Sequence, residues 1–463
     1  MERTAARRRW SAALIVVLAA AALLRMACLR TEPWLDELWS IKLARQAATA
    51  ADVFLKTHDD NNNPLNTLYL RLVSGSRDWA AYRLLSLSAG LLTVALLGWD
   101  PEDPARGLLA ALLAAASTQM VLYATEARGY APMSFFSLSC FLLLRAREPL
   151  TRARAAAFGL CAVLAFLSHT TFSYVYAALF VWTAAKLPRE KRFGGLFALF
   201  GPPTAAIAFF ELIQMPILVG GAGQYGFGPV VLGTLELWSG APAQGAVGLA
   251  GAAVILGLLA WEAENIRRER PDEAVFYAAL FAGALLFVAI FPFPFERHFY
   301  ACLPFVLLLA ADGLMRLFRS GGTRRAAAAA LALLFLLGNG VRVRALATAG
   351  RGRYLEAVQR MAADTPGDVI TVTSDHDSRN RMLLDYYAAY LPPSKRLEYV
   401  PIERRREKNP EWFLRHDFFT DPRRAPIGMF PPGEAAYRLV EVYPYAGLSG
   451  WTWMLYRKEE KAR

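Results

Sequence analysis

The stretch AVFYAALFAGALLFVAIF, residues 274–291, contains no charged side chain. Its length approaches the roughly 20 apolar residues that an α-helix needs to cross the hydrocarbon core of a bilayer. Uncharged apolar runs recur at 11–24, 107–122 and 245–260. Of the 463 residues, 55% are hydrophobic and 19% are charged, whereas soluble domains average about 25% charged residues. The composition therefore predicts an α-helical integral membrane protein.

Apolar runs continue along most of the chain, and we predict about eleven spans. Their approximate centres are residues 20, 89, 115, 138, 161, 178, 203, 253, 283, 309 and 333. The run 155–185 is too long for one span, so we expect a hairpin of two short helices that turns at Ser168–Thr171. The first apolar run continues to Leu29, which favours an uncleaved first span over a signal peptide.

Arginine and lysine residues are concentrated in short loops, and the formal net charge is +12. Cytoplasmic loops carry most of the Lys and Arg of a membrane protein, so we place these loops in the cytoplasm. They are Arg7–Arg9, Arg145–Arg154, Lys186–Arg192, Arg267–Arg270 and Arg316–Arg325. The loop Gly98–Arg106 is assigned to the same side although it is acidic. The basic residues thus follow membrane topology, and we expect no nucleic-acid partner.

Two polar regions fall on the non-cytoplasmic side in this topology, the first outer loop 31–79 and the C-terminal segment. We therefore predict a multi-spanning domain over 1–344, which includes that loop, and a small extracytoplasmic α/β domain over 345–463. The expected location is the plasma (inner) membrane, as a multi-pass protein. Strand patterns occur in the C-terminal domain at 367–375, 437–445 and 451–459, and a helix pattern occurs at 378–391.

Several classes of chemistry have no support in the sequence. The four cysteines lie in or beside apolar segments and are not spaced as a metal or disulfide framework. The patterns GxxxxGK[ST], GxSxG and HExxH do not occur, and each of them marks a particular nucleotide or hydrolase site. We expect no nucleotide cofactor.

The first polar cluster, WLDELWS over Trp34–Ser40, follows the first span directly. It holds two adjacent carboxylates, Asp36 and Glu37, between tryptophans that are typical of a membrane interface. A carboxylate in a partly dry place can act as a general base for an acceptor hydroxyl or amine. The alternative is an ordinary loop or helix-capping carboxylate.

The second cluster, THDDNNNPLN over 57–66, is polar at eight of its ten positions. His58 and Asp59 offer donors and acceptors for a sugar, and His58 together with Asp36 could hold a divalent cation. The alternative is an Asn/Pro turn with an Asp cap.

Two short outer turns each contain an arginine. The turn YATEARGYAP, residues 123–132, holds Glu126 and Arg128, and the turn PFPFERHFY, residues 292–300, holds Arg297. An arginine can bind phosphate through two parallel hydrogen bonds, so the two turns together predict a polyprenyl-phosphate site. A snorkelling Arg–Glu pair is the alternative at the first turn.

In this order the clusters resemble those of the GT-C superfamily of membrane glycosyltransferases, over roughly residues 10–320. The closest likeness is to the protein O-mannosyltransferase and lipid A aminoarabinose transferase type. The acidic pair Asp36-Glu37, the EARGY-like turn at 126–130, and Arg297 with the following Leu303-Pro304 carry the resemblance. The chain departs from the family at 58–66, where a His-Pro-Pro-Leu-Tyr-like segment is usual.

The resemblance implies an inverting transfer of a sugar from a polyprenyl-phosphate donor, within membrane lipid, to an acceptor that is a protein, a lipid or a glycan. It also implies an optional divalent cation. We expect Asp36 and Glu37 to be catalytic. The expected substrate-binding residues are His58, Asp59, Glu126, Arg128, Tyr130, Arg297, His298 and Tyr300. Two other hypotheses are a transporter or flippase of lipid-linked sugars, which would need polar residues near mid-membrane, and a non-catalytic scaffold of the same fold.

Overall fold

A computed structural model describes residues 2–146, 150–214, 226–429 and 436–459, with only the backbone of 2–8. Small parts of two predicted features lie outside these ranges. They are residues 147–149 of the basic stretch Arg145–Arg154, and residues 430–435 and 460–463 of the C-terminal segment.

The chain divides into two compact units. The membrane unit comprises Met1–Leu29 and Leu43–Val343, and the sheet unit comprises Arg30–Lys42 and Arg344–Arg463. The predicted membrane domain includes the whole of the loop 31–79. The structure instead groups the beginning of this loop, which carries the acidic pair, with the C-terminal segment.

Helices account for nearly all regular structure before the sheet. In chain order they are α1 (Glu2–Leu29), α2 (Leu35–Gln46), α3 (Asp52–Leu55), α4 (Pro64–Val73), α5 (Trp79–Gly98), α6 (Pro104–Ala116), α7 (Thr118–Ala124), α8 (Tyr130–Arg145), α9 (Arg152–Ser168), α10 (Phe172–Lys186), α11 (Arg189–Gln214), α12 (Phe227–Trp238), α13 (Ala246–Glu269), α14 (Pro271–Ile290), a 3-10 helix (Glu296–Cys302), α15 (Leu303–Arg319) and α16 (Gly322–Ala349). Each of the eleven predicted span centres falls within one of these helices, and the predicted break at Ser168–Thr171 is confirmed between α9 and α10.

Fewer helices are long enough to cross a membrane than the number of predicted spans. Among the described residues, seven helical segments are long and apolar enough, or eight if the bent pair α6 and α7 forms one span. Helices α8, α9 and α10 have 16, 17 and 15 residues, below the roughly 20 that a full crossing needs. The count of eleven spans stays a prediction.

A buried arginine stabilises the bend between α6 and α7, whose axes differ by 65°. Arg25 of α1 is fully buried and donates hydrogen bonds to the carbonyl oxygens of Ala114 and Ala115, at 3.4 and 3.3 Å. The last carbonyls of a helix have no partner within the helix. Arg25 therefore supplies donors at the point where α6 ends.

Ion pairs join the acidic loop before α6 to the basic ends of α13 and α15. Arg106 pairs with Asp312 at 2.9 Å, Arg270 pairs with the same carboxylate at 3.2 Å, and Arg319 pairs with Asp103 at 2.7 Å. Asp103 of the acidic stretch 98–106 therefore contacts an arginine of Arg316–Arg325, which is predicted to be cytoplasmic. This accounts for an acidic loop on the predicted basic side.

The sheet unit contains six strands in the order β2-β1-β3-β6-β5-β4. Its elements are α17 (Tyr354–Asp364), β1 (Val369–Ser374), α18 (Asp377–Ala388), β2 (Arg396–Tyr399), α19 (Arg405–Lys408), β3 (Trp412–Asp417), β4 (Gly428–Met429), β5 (Tyr437–Tyr443) and β6 (Thr452–Lys458). Strand β1 pairs in parallel with β2 and β3, and the other neighbours are antiparallel. Strands β1, β5 and β6 and helix α18 lie where the sequence patterns predicted them.

The strand residues of this unit are rich in the branched and aromatic side chains that fit a pleated, half-buried surface. Phe413, Tyr437, Met454 and Tyr456, from three adjacent strands, form one buried cluster. The sheet holds the carboxyl ends of its parallel neighbours β1 and β3 side by side.

Candidate active site

The EARGY turn of the membrane unit is fixed by close backbone contact. It connects α7 to α8, and a Cβ atom at Gly129 would lie 1.7 Å from the carbonyl oxygen of Ser168. No side chain fits in that space, so only glycine allows the turn to pack on the end of α9. Glu126, at the start of the turn, is fully buried, and its carbonyl oxygen accepts the N–H of Arg128 at 2.8 Å.

Arg128 is held by residues from several parts of the membrane unit. Its Nη2 donates to Oδ1 of Asn61 at 2.8 Å, and its Cζ lies 5.0 Å from the ring centre of Tyr130. Ser86 donates to its carbonyl oxygen at 3.0 Å. The residue is 5% exposed. Arg128 is therefore a positioned cation in a buried polar environment, which is a different setting from a side chain that snorkels to the surface.

The polar segment 57–66 supports this turn. Asn66 donates to the carbonyl oxygen of Ala127 at 2.9 Å. By contrast, His58 and Asp59, which are expected to bind sugar, contact backbone groups. The ring nitrogens of His58 lie 2.9 and 3.1 Å from the carbonyl oxygens of Gln214 and Leu55, and Oδ1 of Asp59 accepts a backbone N–H at 2.9 Å.

The surroundings of the His58 ring do not fit a bound divalent cation. Both ring nitrogens face backbone carbonyl oxygens. Within the described ranges, no group of three or more His, Cys, Asp or Glu side chains is arranged to hold a metal ion. The contacts of His58 do not support the predicted cation at Asp36 and His58. The proposed reaction does not depend on a cation.

The second arginine belongs to the 3-10 helix Glu296–Cys302. Cζ of Arg297 lies 4.3 Å from the ring centre of Phe295, and the residue is partly exposed. His298 and Tyr300 are buried. The carbonyl oxygen of His298 accepts the hydroxyl of Tyr174 at 2.7 Å, and this bond fixes the 3-10 helix against α10.

His169 connects the two arginine turns. Its ring stacks on Tyr130 at 4.3 Å, and its Nδ1 accepts the backbone N–H of Thr171 at 3.2 Å. Burial, followed by the positive charge of Arg128 and then the charges of His298 and Arg297, lowers the pKa of His169 well below its usual value. The ring is therefore neutral, and with Nδ1 as acceptor its proton is on Nε2.

An aromatic cluster lies beside the two arginines. The ring of Tyr123 lies 4.6 Å from that of Tyr130 and 4.5 Å from that of Tyr300. The rings of Tyr130 and Tyr300 are themselves 6.0 Å apart. The structure thus brings together six of the eight expected substrate-binding residues, namely Glu126, Arg128, Tyr130, Arg297, His298 and Tyr300.

An apolar cavity of about 410 Å³ adjoins the 3-10 helix. Its lining comes from α6, α13, α15, α16 and the loop after α12, including Leu113, Val306 and Phe335. Trp238, which also lines it, lies 6.2 Å from the ring of Phe299, two residues after Arg297. Trp238 therefore contacts both this cavity and the 3-10 helix.

In the sheet unit, the two adjacent carboxylates have different environments. Both lie in the first turn of α2. Glu37 is fully buried, with Oε2 at 3.7 Å from Nε of the equally buried Arg351. Asp36 is partly exposed. Glu37 is therefore held in the interior of the unit, whereas Asp36 reaches the surface in part.

Two residues that contact the EARGY turn, Asn61 and His169, are not among the predicted site residues. A lone histidine in an apolar run usually packs, and this is why His169 was not predicted. Asn61 gave no signal of its own, because its role depends on a partner 67 residues away.

These features define a multi-spanning membrane protein with a cationic site on two of its turns, and the architecture matches solved structures. No family model and no curated protein matches the chain. Against ArnT from Cupriavidus metallidurans in the apo state, the TM-score is 0.56 at 12% identity, over 89% of this chain and 93% of that chain.

Two other structures have the same architecture. ArnT from the same organism bound to undecaprenyl phosphate gives a TM-score of 0.53 at 13% identity, over 97% of this chain and 98% of that chain. The oligosaccharyltransferase AglB from Archaeoglobus fulgidus, with an inhibitory peptide and a dolichol-phosphate, gives 0.50 at 12% identity, over 87% and 69%. The chain therefore has the same fold as these solved structures.

Proposed function

We propose that this protein is an inverting glycosyltransferase that moves a sugar from a polyprenyl-phosphate donor to an acceptor on the non-cytoplasmic side of the membrane. The main support is that ring contacts join the two turns that carry Arg128 and Arg297. Tyr130, whose ring lies 5.0 Å from Cζ of Arg128, lies 6.0 Å from the ring of Tyr300, three residues after Arg297. Two fixed guanidinium groups suit a phosphate that gains negative charge as the sugar leaves.

The lipid part of the donor has a matching environment. An isoprenoid chain is wholly apolar, and the cavity beside the 3-10 helix is lined mainly by aliphatic and aromatic side chains. Two proteins of the same fold have structures with undecaprenyl phosphate or dolichol-phosphate. We therefore propose that the isoprenoid lies toward this cavity while the phosphate meets Arg297 and Arg128.

In the proposed reaction, an acceptor hydroxyl or amine attacks the anomeric carbon of the donor sugar. The new glycosidic bond forms as the bond from that carbon to the phosphate oxygen breaks, and polyprenyl phosphate leaves with the electron pair. Asp36 takes the proton of the acceptor. The arginines stabilise the phosphate charge, and the N–H of His169 is a further donor to it.

The test is a comparison of Arg128→Ala and Arg297→Ala with wild type in nanodiscs. Loss of a charged contact to phosphate costs about 1.5–3 kcal/mol, so each variant should bind undecaprenyl phosphate roughly 10 to 100 times more weakly. Sugar transfer from polyprenyl-phosphate sugars to membrane extract should fall at least as much. Lys replacements should restore binding only in part, because Lys lacks the planar fork of Arg.

Arg325→Ala is the matched control, because Arg325 is an exposed arginine of the same unit that lies 5.2 Å from the ring of Phe318. It should behave as wild type. Wild-type lipid binding in both Arg128→Ala and Arg297→Ala would contradict the phosphate site. Carrier binding and lipid movement without any transfer would favour the transporter hypothesis instead.

A further inference from the structure

The carboxyl ends of two parallel strands in the sheet unit carry a second group of polar side chains. Strand β1 is followed by Asp375 and His376, and β3 has His416 near its end. The chain leaves β1 toward β2, on one side, while β3 pairs with the opposite side of β1. In open α/β sheets, ligands bind outside the carboxyl ends of strands at such a reversal of order.

Asp375 fixes the orientation of His416. One of its oxygens lies 2.9 Å from Nδ1 of His416 and 2.9 Å from Nδ2 of Asn380. Its other oxygen accepts the backbone N–H of His416 at 3.2 Å. Asn380 is itself held by the indole N–H of Trp453, at 2.9 Å. Because a carboxylate can only accept, Nδ1 of His416 carries a proton, and in the neutral form of the ring Nε2 then presents a lone pair.

His376 has the complementary arrangement. It caps α18, and its Nδ1 accepts the backbone N–H of Arg379, so the proton of the neutral ring is on Nε2. Burial and the nearby charge of Arg379 lower the pKa of His376, which keeps the ring neutral near pH 7. The rings of His376 and His416 are 6.0 Å apart and nearly perpendicular. The pair thus offers one donor and one acceptor.

Aromatic side chains border the two histidines. The ring of Trp451 lies 5.1 Å from His416 and 6.3 Å from Phe418, and Cζ of Arg379 lies 5.9 Å from it. Trp451 is 3% exposed, and its indole N–H has no hydrogen-bond partner in the described part of the chain. Phe418 is 48% exposed, so about half of its surface is available to a ligand.

We propose that this cluster binds a sugar of the acceptor, so that the acceptor is a carbohydrate or carries one. A sugar hydroxyl can donate to Nε2 of His416 and accept from the N–H of His376 at the same time, while an apolar sugar face packs on Phe418. Hydroxyl groups are both donors and acceptors. The inference rests on the proposed function, and it adds the class of acceptor.

The sugar site and the candidate base belong to the same unit. Trp34 lies 6.3 Å from Trp451, with the rings edge to face, and it precedes Asp36 by two residues. The aromatic contact therefore connects the histidine pair to the helix turn that carries Asp36. Within the described residues, these histidines have no third ligand that would make them a metal site.

The experiment measures binding of methyl glycosides of mannose, glucose, galactose and arabinose to the full-length protein in nanodiscs, by saturation-transfer NMR. At least one glycoside should bind. His416→Ala and the more conservative His376→Gln should each weaken that binding about tenfold or more. Asp375→Asn should also weaken it, because His416 loses its fixed tautomer. Asp385→Asn, on the helix that His376 caps and 61% exposed, is the control and should bind as wild type.

Thermal unfolding of each variant shows whether it remains folded. If His416→Ala does not fold, His376→Gln still tests the site, because His376 is partly exposed and its replacement disturbs the fold less. Absence of binding by every glycoside, or unchanged binding in both histidine variants, would overturn the sugar site. Undecaprenyl phosphate binding should be unchanged in these variants. A wrong prediction of the phosphate site and a wrong prediction of the sugar site can therefore be told apart.

Discussion

At the scale of single residues, neighbours in the sequence can have different environments. Asp36 and Glu37 both look like catalytic carboxylates, but successive side chains on a helix point about 100° apart. In α2 this turns Glu37 into the interior against Arg351 and leaves Asp36 partly exposed. We therefore propose Asp36, rather than Glu37, as the base.

Asp36→Asn tests the base. The substitution preserves size and removes the charge, so transfer should fall about 100-fold or more, within the usual range for general-base catalysis. Binding of undecaprenyl phosphate should stay near the wild-type value, since the phosphate ligands are elsewhere. Turnover and lipid binding are measured on the same preparation. Near-normal turnover would remove Asp36 from the mechanism.

Glu37→Gln should reduce stability more than chemistry. The change leaves the buried Arg351 guanidinium without its carboxylate, and removal of one partner of a buried ion pair costs about 3–5 kcal/mol. The midpoint of thermal unfolding should fall clearly below that of Asp36→Asn, while the folded fraction keeps most of its turnover. A stable variant with greatly reduced turnover would make Glu37 the base instead.

At the scale of elements, the site depends on how closely turns can approach helix ends. The EARGY turn contacts the end of α9 only because residue 129 has no Cβ. That contact brings the stacked pair of Tyr130 and His169 together. The position of Arg128 therefore depends on a backbone contact between two turns as much as on its own hydrogen bonds.

Gly129→Ala should displace this turn. The new Cβ would lie 1.7 Å from the carbonyl oxygen of Ser168, and neither backbone segment can move freely. We expect undecaprenyl phosphate binding to fall at least about tenfold, as for loss of Arg128 itself. Gly257→Ala, at a glycine with no atom within 4 Å of the added Cβ, is the control and should bind normally. Equal binding in the two variants would show that the turn tolerates displacement.

A second element contact makes stability depend on pH. Glu32 accepts the N–H of Leu355 at 2.7 Å and so caps the first turn of α17. Burial raises the pKa of Glu32 from 4.5 to about 7, against the lowering effect of its backbone hydrogen bonds. The folded state therefore binds the proton more tightly than the unfolded state. Its stabilising contribution is complete below about pH 4.5 and is lost as the pH rises through about 7.

Glu32→Gln should remove this dependence. Wild type should show a falling midpoint of thermal unfolding between about pH 5.5 and about pH 8.5, and the variant should show a smaller fall because it cannot ionise. The rise in the pKa of Glu32 corresponds to a change of about 3 kcal/mol at most in the free energy of unfolding. Glu403→Gln, at an exposed position of the same unit, should leave the wild-type profile unchanged. If the unfolding midpoints of wild type and Glu32→Gln changed with pH in the same way, Glu32 would not be the source of the pH dependence.

At the scale of the whole molecule, charge distribution governs orientation. The ion pairs among 98–106 and the ends of α13 and α15 gather acidic and basic loops at one end of the membrane unit. The positive-inside rule counts Lys and Arg rather than net charge, so the acids of 98–106 do not oppose a cytoplasmic location. The first outer loop and the C-terminal segment are still predicted to lie on the non-cytoplasmic side.

Single cysteines test this topology in a background that lacks the four native ones. Cysteines that replace Arg77 and Glu403, both exposed, should react with a membrane-impermeant maleimide added outside intact cells. A cysteine in place of Arg324, in a basic loop, should react only after the membrane is opened. Reaction of positions 77 and 403 from opposite sides would overturn the eleven-span topology and the proposed side of the active site.

The sequence by itself determined that this is a helical membrane protein, where its helices centre, and which turns carry arginines. Those features depend on local composition, because burial in lipid requires apolar runs wherever they occur. Several strands and one helix of the sheet unit were also readable from local patterns. Only the tertiary structure decided that Asn61 holds Arg128, that Glu37 pairs with Arg351, and that Asp375 orients His416. Each of these contacts joins residues at least 41 positions apart along the chain, and no local pattern encodes a partner at that distance.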